Sequence, residues 1–129
     1  MSMKVLESLK DAGATYEVID CEPSFADTAE FCNHYGYSLD ESANAILLEG
    51  KAESPVYALC VVLATTRINV NKVARKRLGT RKASFASAEI TKELTGMEIG
   101  GVTPVGLPVD LPIWIDSLVM ETRKVIIGA

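Results

Sequence analysis

Residues 94–106 constrain this chain more than any other segment, because they hold four glycines and one proline in thirteen residues. Glycine lets a backbone approach a ligand closely and expose its N–H groups, and proline fixes one turn. Clusters of this kind often do no more than connect a helix to a strand. The same segment is also able to bind a carbonyl or ester oxygen through backbone amides alone. From the residues by themselves, both interpretations are open.

The size and composition are those of one globular domain, since 48% of the 129 residues are apolar. We therefore expect residues 1–129 to form a single domain. No apolar run is as long as a membrane span; residues 58–64, for example, form only a strand-sized run. The three cysteines, Cys21, Cys32 and Cys60, are odd in number and unclustered. This pattern favours reduced thiols and a cytoplasmic location.

Charge is unevenly distributed along the chain, although the net charge is only −4. No acidic residue occurs between Glu53 and Glu89. Seven of the thirteen basic residues fall in that interval: Arg67, Lys72, Arg75, Lys76, Arg77, Arg81 and Lys82. A basic segment in an acidic protein is typical of a polyanion-binding surface, and it is equally the pattern of a solvated helix face.

Periodicity and turn residues predict helices and strands without strict alternation. The helices are expected at residues 3–12, from Asp27 to about Gly36, from Asn69 or Asn71 to Leu78, and from Ser87 to Leu94, with Gly96 closing the last. Strands are expected at residues 15–19, 43–48, 56–63, 83–85, 112–115 and 124–127, and a polar turn at 49–55. We therefore expect an α/β fold, with a mixed, strongly curved sheet and helices packed outside it.

Few residues are candidates for chemistry, and no phosphate-binding loop or nucleophile elbow is present. His34 is the only histidine, and Cys32 lies two helical positions away, so the two point in different directions. We expect no metal site and no cofactor. The remaining candidates are the backbone amides of residues 100–102, Thr28 at a helix start, and Asp116 after an apolar strand. Thr28 either binds substrate or caps its helix, and Asp116 either holds a substrate amino group or caps the next turn.

The chain resembles a known family over most of its length. The likeness is carried by residues 69–73, by Leu94-Thr95-Gly96, by Gly100-Gly101-Val102-Thr103-Pro104 and by Ile113-Trp114-Ile115-Asp116. These resemble the YbaK-like aminoacyl-tRNA deacylases, a family that includes the editing domain of bacterial prolyl-tRNA synthetases. The resemblance implies a barrel-like mixed sheet surrounded by helices. It also implies a metal-independent ester hydrolase whose substrate is bound by Thr28, Thr103, Pro104 and Asp116.

One position departs from the family pattern. The family usually has a lysine at the start of the strand after the second helix, and Asn44 stands at that place here. An asparagine side chain donates and accepts hydrogen bonds but carries no charge. It is therefore unable to replace lysine as a cationic anchor for an anion.

The resulting hypothesis is a free-standing trans-editing enzyme that hydrolyses the ester of a mischarged aminoacyl-tRNA. Catalysis would use Gly100, Gly101 and Val102 as oxyanion donors and Asn44 to orient water. The acceptor end would be bound by basic residues, namely Arg67, Lys72, Arg75, Lys76 and Arg81. An aminoacyl-tRNA synthetase is a candidate partner. The alternatives are a non-catalytic module that binds an amino acid or a tRNA end, and a nucleic-acid binder without pocket chemistry.

Overall fold

The computed structural model of this chain describes residues 3–11, 13, 17, 28–97, 102–108 and 110–127. Its helices are α1 (Met3–Asp11), α2 (Thr28–Tyr35), a 3₁₀ turn (Leu39–Glu41), a π-helical turn (Val70–Ala74) continued by α3 (Arg75–Leu78), α4 (Ala88–Thr95) and α5 (Ser117–Glu121). Its strands are β1 (Ala43–Lys51), β2 (Val56–Leu63), β3 (Lys82–Phe85) and β4 (Ile113–Ile115). The predicted strand at residues 15–19 and the cap at Asp27 lie outside the described residues.

The strands form one mixed sheet in the order β3-β1-β2-β4. β1 pairs antiparallel with β2 from Ala43↔Leu63 to Gly50↔Val56, and β3 is antiparallel to β1. β4 is parallel to β2, with Leu59 opposite Ile113. The mixed α/β architecture is confirmed. The expected barrel-like closure is wrong for the described residues, because β3 and β4 are the two edges of an open sheet.

The two faces of the sheet are both covered, because side chains alternate along β1 and β2. The face that carries Leu48, Cys60 and Val62, here called the front face, packs against Ala74 and its neighbours in the helical segment 70–78. The opposite back face carries Leu47 and Leu59. It packs against Val102 and against α4, while Val119 of α5 packs at its other end. Burial on both sides explains why β1 and β2 read as continuous apolar runs.

The helical segment 70–78 opens in a wide turn. The side chain of Asn69 accepts a hydrogen bond from the Lys72 N–H at 3.1 Å, which confirms Asn69 as its cap. The Ala74 N–H bonds back to the Asn69 carbonyl, five residues earlier. This π-type turn shifts the helical phase, and Val73 is 56% exposed. Val73 therefore lies outside the core, whereas Ala74 is buried.

Two strand boundaries also differ from the prediction. β1 runs through Glu49 and Gly50 to Lys51, because Glu49 is buried and partnered rather than solvated in a turn. It forms an ion pair with Lys51 and accepts a hydrogen bond from the Tyr57 hydroxyl at 3.1 Å. The hydrogen bond from Lys51, together with that from Tyr57, holds the pKa of the Glu49 carboxyl below its ordinary value. The strand expected at 124–127 is reduced to one bridge between Ser42 and Ile126.

Gly50 is a point of close packing between the central hairpin and the turn before β3. A Cβ at this position would lie 2.8 Å from Thr80 Cγ2 and 2.8 Å from Val56 Cγ2. Both neighbours are β-branched and have little rotamer freedom.

We expect Gly50→Ala to lower the free energy of unfolding by about 1–3 kcal/mol, the usual range for overpacking, as measured by urea denaturation. Thr80→Ala in the same chain should restore part of the loss, whereas equal stability of Gly50→Ala and wild type would contradict the close packing.

Candidate functional site

A cleft of about 370 Å³ opens on the front face of the sheet. Seven residues from β1, β2, β3 and the segment after β2 line it: Asn44, Ile46, Val62, Thr66, Arg67, Ile68 and Phe85. The volume falls within the range of about 300–1,000 Å³ that is typical of small-molecule sites. The lining combines an apolar floor with an amide, a hydroxyl and a guanidinium, and none of the seven side chains is a carboxylate. Such a cleft suits a ligand that is partly apolar and partly anionic.

Asn44 occupies the floor of the cleft because of the β1–β2 register. It lies opposite Val62, and paired residues of an antiparallel sheet point to the same face. Two residues further along β1, Ile46 pairs with Cys60 of β2. Cys60 pairs in turn with Trp114 of β4. The structure thus brings Asn44 and Arg67 into one cleft, although the sequence predicts separate roles for them, on water and on tRNA.

Asp116 lies beside the cleft on the β4 side. Its N–H bonds to the Val61 carbonyl at 3.0 Å, which places it next to Val62, and its charge acts on Cys60. It stands at the start of α5, yet its side chain makes no capping hydrogen bond. Its Oδ2 is buried and has no hydrogen-bond partner within the described part of the chain. The side chain of Asp116 therefore does not cap α5, and its role in holding a substrate amino group stays a prediction.

Cys60, beneath the cleft, is a buried neutral thiol rather than a nucleophile. Burial raises the pKa of the Cys60 thiol, and the nearby carboxylate of Asp116 raises it further. Arg77 acts in the opposite direction; its guanidinium carbon lies 6.0 Å from the centre of the Trp114 ring. Because thiolate is the nucleophilic form, this environment disfavours covalent catalysis by Cys60.

The described part of the glycine-rich loop packs on the back face, away from Asn44. Val102 joins the cluster with Leu47 and Leu59. Thr103 is completely buried, its N–H donates to Met97 Sδ at 3.2 Å, and its Oγ1 has no partner among the residues described. Pro104 is half-buried. The side chains of Asn44 and Val102 thus lie on opposite sides of the sheet, and Gly100 and Gly101 lie outside the described residues.

The basic residues expected to bind tRNA divide into two groups. Four are exposed, namely Arg67, Lys72, Lys76 and Arg81. Arg75 is half-buried, and it donates to the carbonyls of Asn71 at 2.9 Å and Thr80 at 3.4 Å, so its guanidinium holds the helix end to the following turn. α2 begins at Thr28, as expected, but the side chain of Thr28 lies outside the described part.

Five of the seven cleft residues were not predicted from the sequence, and Phe85 is the most exposed apolar residue among them. The segment 82–85 alternates basic or polar with apolar residues, which indicates a strand with an ordinary buried aromatic. In the structure Phe85 is 56% exposed. The only available signal was its place in an acid-free basic stretch.

Among the described residues no three His, Cys, Asp or Glu side chains come together as metal ligands, and no described helix has the length and apolar character to cross a bilayer.

Comparison with known proteins identifies the family. Residues 22–129 match the aminoacyl-tRNA editing domain, and the chain belongs to that family. It is 32% identical over 100 residues to the uncharacterized protein YwhH of Bacillus subtilis strain 168, covering 78% of this chain and 61% of YwhH. The chain thus spans less than two thirds of that relative.

Two solved structures share the fold. The crystal structure of hypothetical protein APE2540 has a TM-score of 0.85 at 28% identity, over 97% of this chain and 81% of that one. That of a candidate trans-editing enzyme for prolyl-tRNA synthetase has a TM-score of 0.77 at 25% identity, over 92% and 73%. These likenesses agree with the assignment of the chain to the aminoacyl-tRNA editing domains.

The placement of Asp116 beside Cys60 makes a prediction about thiol reactivity. Asp116→Asn removes the negative charge that raises the pKa of the Cys60 thiol, so the pH profile of Cys60 alkylation should shift to lower pH. Mass spectrometry of the Cys60 peptide after iodoacetamide treatment measures this. Glu121→Gln, which removes an exposed carboxylate on α5, should leave the profile unchanged. Identical profiles for Asp116→Asn and wild type would contradict the placement.

Proposed function

We propose that this protein is a trans-editing aminoacyl-tRNA deacylase that hydrolyses the ester between a wrongly attached amino acid and the 3′ end of a tRNA. Family membership supports the editing role. The observation that carries the proposal is the cleft with Asn44 on its floor, Arg67 among its lining and the unpaired oxygen of Asp116 at its side. We place this activity in the cytoplasm.

The reaction adds water to the ester carbonyl carbon. The bond from that carbon to the ribose oxygen then breaks, and the ribose oxygen takes up a proton. The Asn44 amide donates a hydrogen bond to the carbonyl oxygen or holds the attacking water. Since none of the seven lining residues is a carboxylate or an imidazole, the vicinal ribose hydroxyl of the substrate relays the proton: it accepts one from the attacking water as it donates its own to the departing ribose oxygen. The oxyanion role of Gly100, Gly101 and Val102 stays a prediction.

Two features of the cleft set the expected specificity. Ile46, Val62 and Ile68 offer an apolar surface to the amino-acid side chain, which favours a small apolar residue. The Asp116 carboxylate, next to Val62 at the side of the cleft, is the proposed acceptor for the α-ammonium group, which every aminoacyl ester carries. Selection by apolar pocket size discriminates by only about 10- to 200-fold per methylene, so we expect a preference among similar amino acids rather than absolute specificity.

A non-catalytic binding module is the alternative, and one observation favours it: the cleft lining lacks a general base. Both functions use the same contacts, so only turnover separates them. A panel of tRNAs mischarged with small and large amino acids tests this directly. Hydrolysis of at least one of them supports the enzyme, whereas tight binding without release of amino acid supports the module.

Asn44 is the residue on which turnover should depend. Asn44→Ala removes the amide donor, and we expect kcat for the preferred mischarged tRNA to fall by about 10²-fold, as for loss of one oxyanion donor. Asn33→Ala, at an exposed position of α2, is the matched control and should retain full activity. Urea denaturation of each variant shows whether the fold is retained. An Asn44→Ala protein that folds normally and turns over like wild type would rule out the proposed role.

Lys72 and Lys76 are expected to contact tRNA phosphates, because both are exposed on the acid-free helical segment. Replacing both with Ala should weaken tRNA binding and flatten the plot of log K against log[salt] by about 1 to 2 units of slope, as loss of two phosphate contacts requires. The control pair Lys10→Ala and Lys124→Ala removes the same charge from other exposed positions. If both pairs change the slope equally, segment 70–78 is only a solvated helix face.

A further inference from the structure

Phe85 is exposed where an aromatic side chain would normally be buried. It lies opposite Leu48 in the β3–β1 pairing, so it points to the front face. Leu48 is completely buried beneath the helical segment 70–78, yet Phe85, beside it, is 56% exposed. The helical segment thus leaves the Phe85 ring uncovered and in contact with the cleft.

The polar groups around this ring distinguish the site from an ordinary exposed hydrophobic residue. Val73 is also 56% exposed, but it does not line the cleft. Phe85 shares the cleft with the guanidinium of Arg67, the hydroxyl of Thr66 and the amide of Asn44. A flat apolar ring, a cation and hydrogen-bonding groups together match a nucleotide, which offers a base face, a phosphate and a sugar.

The strand order arranges these groups in a sequence that fits an aminoacylated nucleotide. On the front face, Phe85 of β3 lies opposite Leu48, four residues or about 13 Å along β1 from Asn44. Val62 on β2 lies opposite Asn44, and Asp116 follows β4 on the far side. Neighbouring strands are about 4.8 Å apart, so Asn44 and Asp116 are separated by about two strand spacings. In the substrate, base and amino group also lie on opposite sides of the ester. With the ester at Asn44 and the amino group at Asp116, the base falls on the Phe85 side.

We propose that Phe85 is the stacking surface for the terminal base of the tRNA, and that Arg67 binds the adjoining backbone phosphate. This inference rests on the proposed function for the identity of the ligand. It adds a recognition element for the tRNA end that works whether or not an amino acid is attached. Stacking on an aromatic ring is tolerant of sequence, which suits a 3′ end that tRNAs share.

The test uses uncharged tRNA whose terminal adenine is replaced by 2-aminopurine, a base whose fluorescence falls when it stacks. Wild-type protein should quench this signal on binding. Phe85→Ala should abolish the quench and weaken binding by about 5- to 150-fold, as expected for loss of one base stack. Phe85→Trp should retain both. Val73→Ala, with the same exposure in the native protein, is the matched control and should bind like wild type.

Two further variants keep the test decisive. Phe85→Leu retains apolar volume but lacks a ring face, so it should fold and still lose the quench. Arg67→Ala should reduce the salt slope by about one phosphate contact. Equal quenching and affinity in Phe85→Leu and wild type overturns the proposal. It is also overturned if Phe85→Leu impairs hydrolysis of aminoacylated tRNA while uncharged tRNA binds normally, because the ring then contacts the amino acid. A Phe85-dependent quench without any deacylation supports the stacking role and refutes the enzyme.

Discussion

The antiparallel pairing of β1 with β2 is the constraint on which the rest of the molecule depends. Both strands are central in the sheet, and Leu48, Ala58 and Leu59 on them are completely buried. The helical segment 70–78, α4 and α5 pack against this hairpin from one face or the other. A slip of one residue in β1 would exchange Asn44 with Ala45 between the faces. The register that forms the core is therefore also the register that forms the cleft.

Burial at the centre of the sheet gives a physical reason for the neutral residue at position 44. A lysine placed beside the buried Val62 would need to be desolvated or paired, whereas an asparagine needs only hydrogen-bond partners. The positive charge of this cleft is instead supplied by Arg67, which is exposed and pays little desolvation. The cation of this cleft is therefore an exposed side chain at its edge, and the group on its floor is a neutral amide. Under the proposed function, Asn44 acts on the ester while Arg67 attracts the phosphate.

The parts of the fold that could be predicted from sequence are those with complete local signals. β2 has an apolar run between turns, and α4 has both its cap at Ser87 and its closing Gly96. The end of β1 was missed because Glu49 has charged and aromatic partners that local patterns do not reveal. Candidate site residues were found by type and resemblance, but their grouping was not. Asn44 shares the front face with Phe85, and Val102 shares the back face with Leu47. Both groupings depend on strand register and order, which are properties of the whole sheet.

The unpaired oxygen of Asp116 links the stability of the free protein to the recognition of its ligand. A buried acceptor without a partner costs about 1–3 kcal/mol, and among the described residues Asp116 Oδ2 is in that state. Replacement by a residue that needs no partner would relieve this penalty in the free protein. An arriving ammonium group relieves it as well, and contributes a charge-assisted hydrogen bond in addition. Under the proposed function this acceptor holds the substrate ammonium group, so Asp116→Ala should weaken binding of aminoacylated tRNA without lowering the stability of the fold.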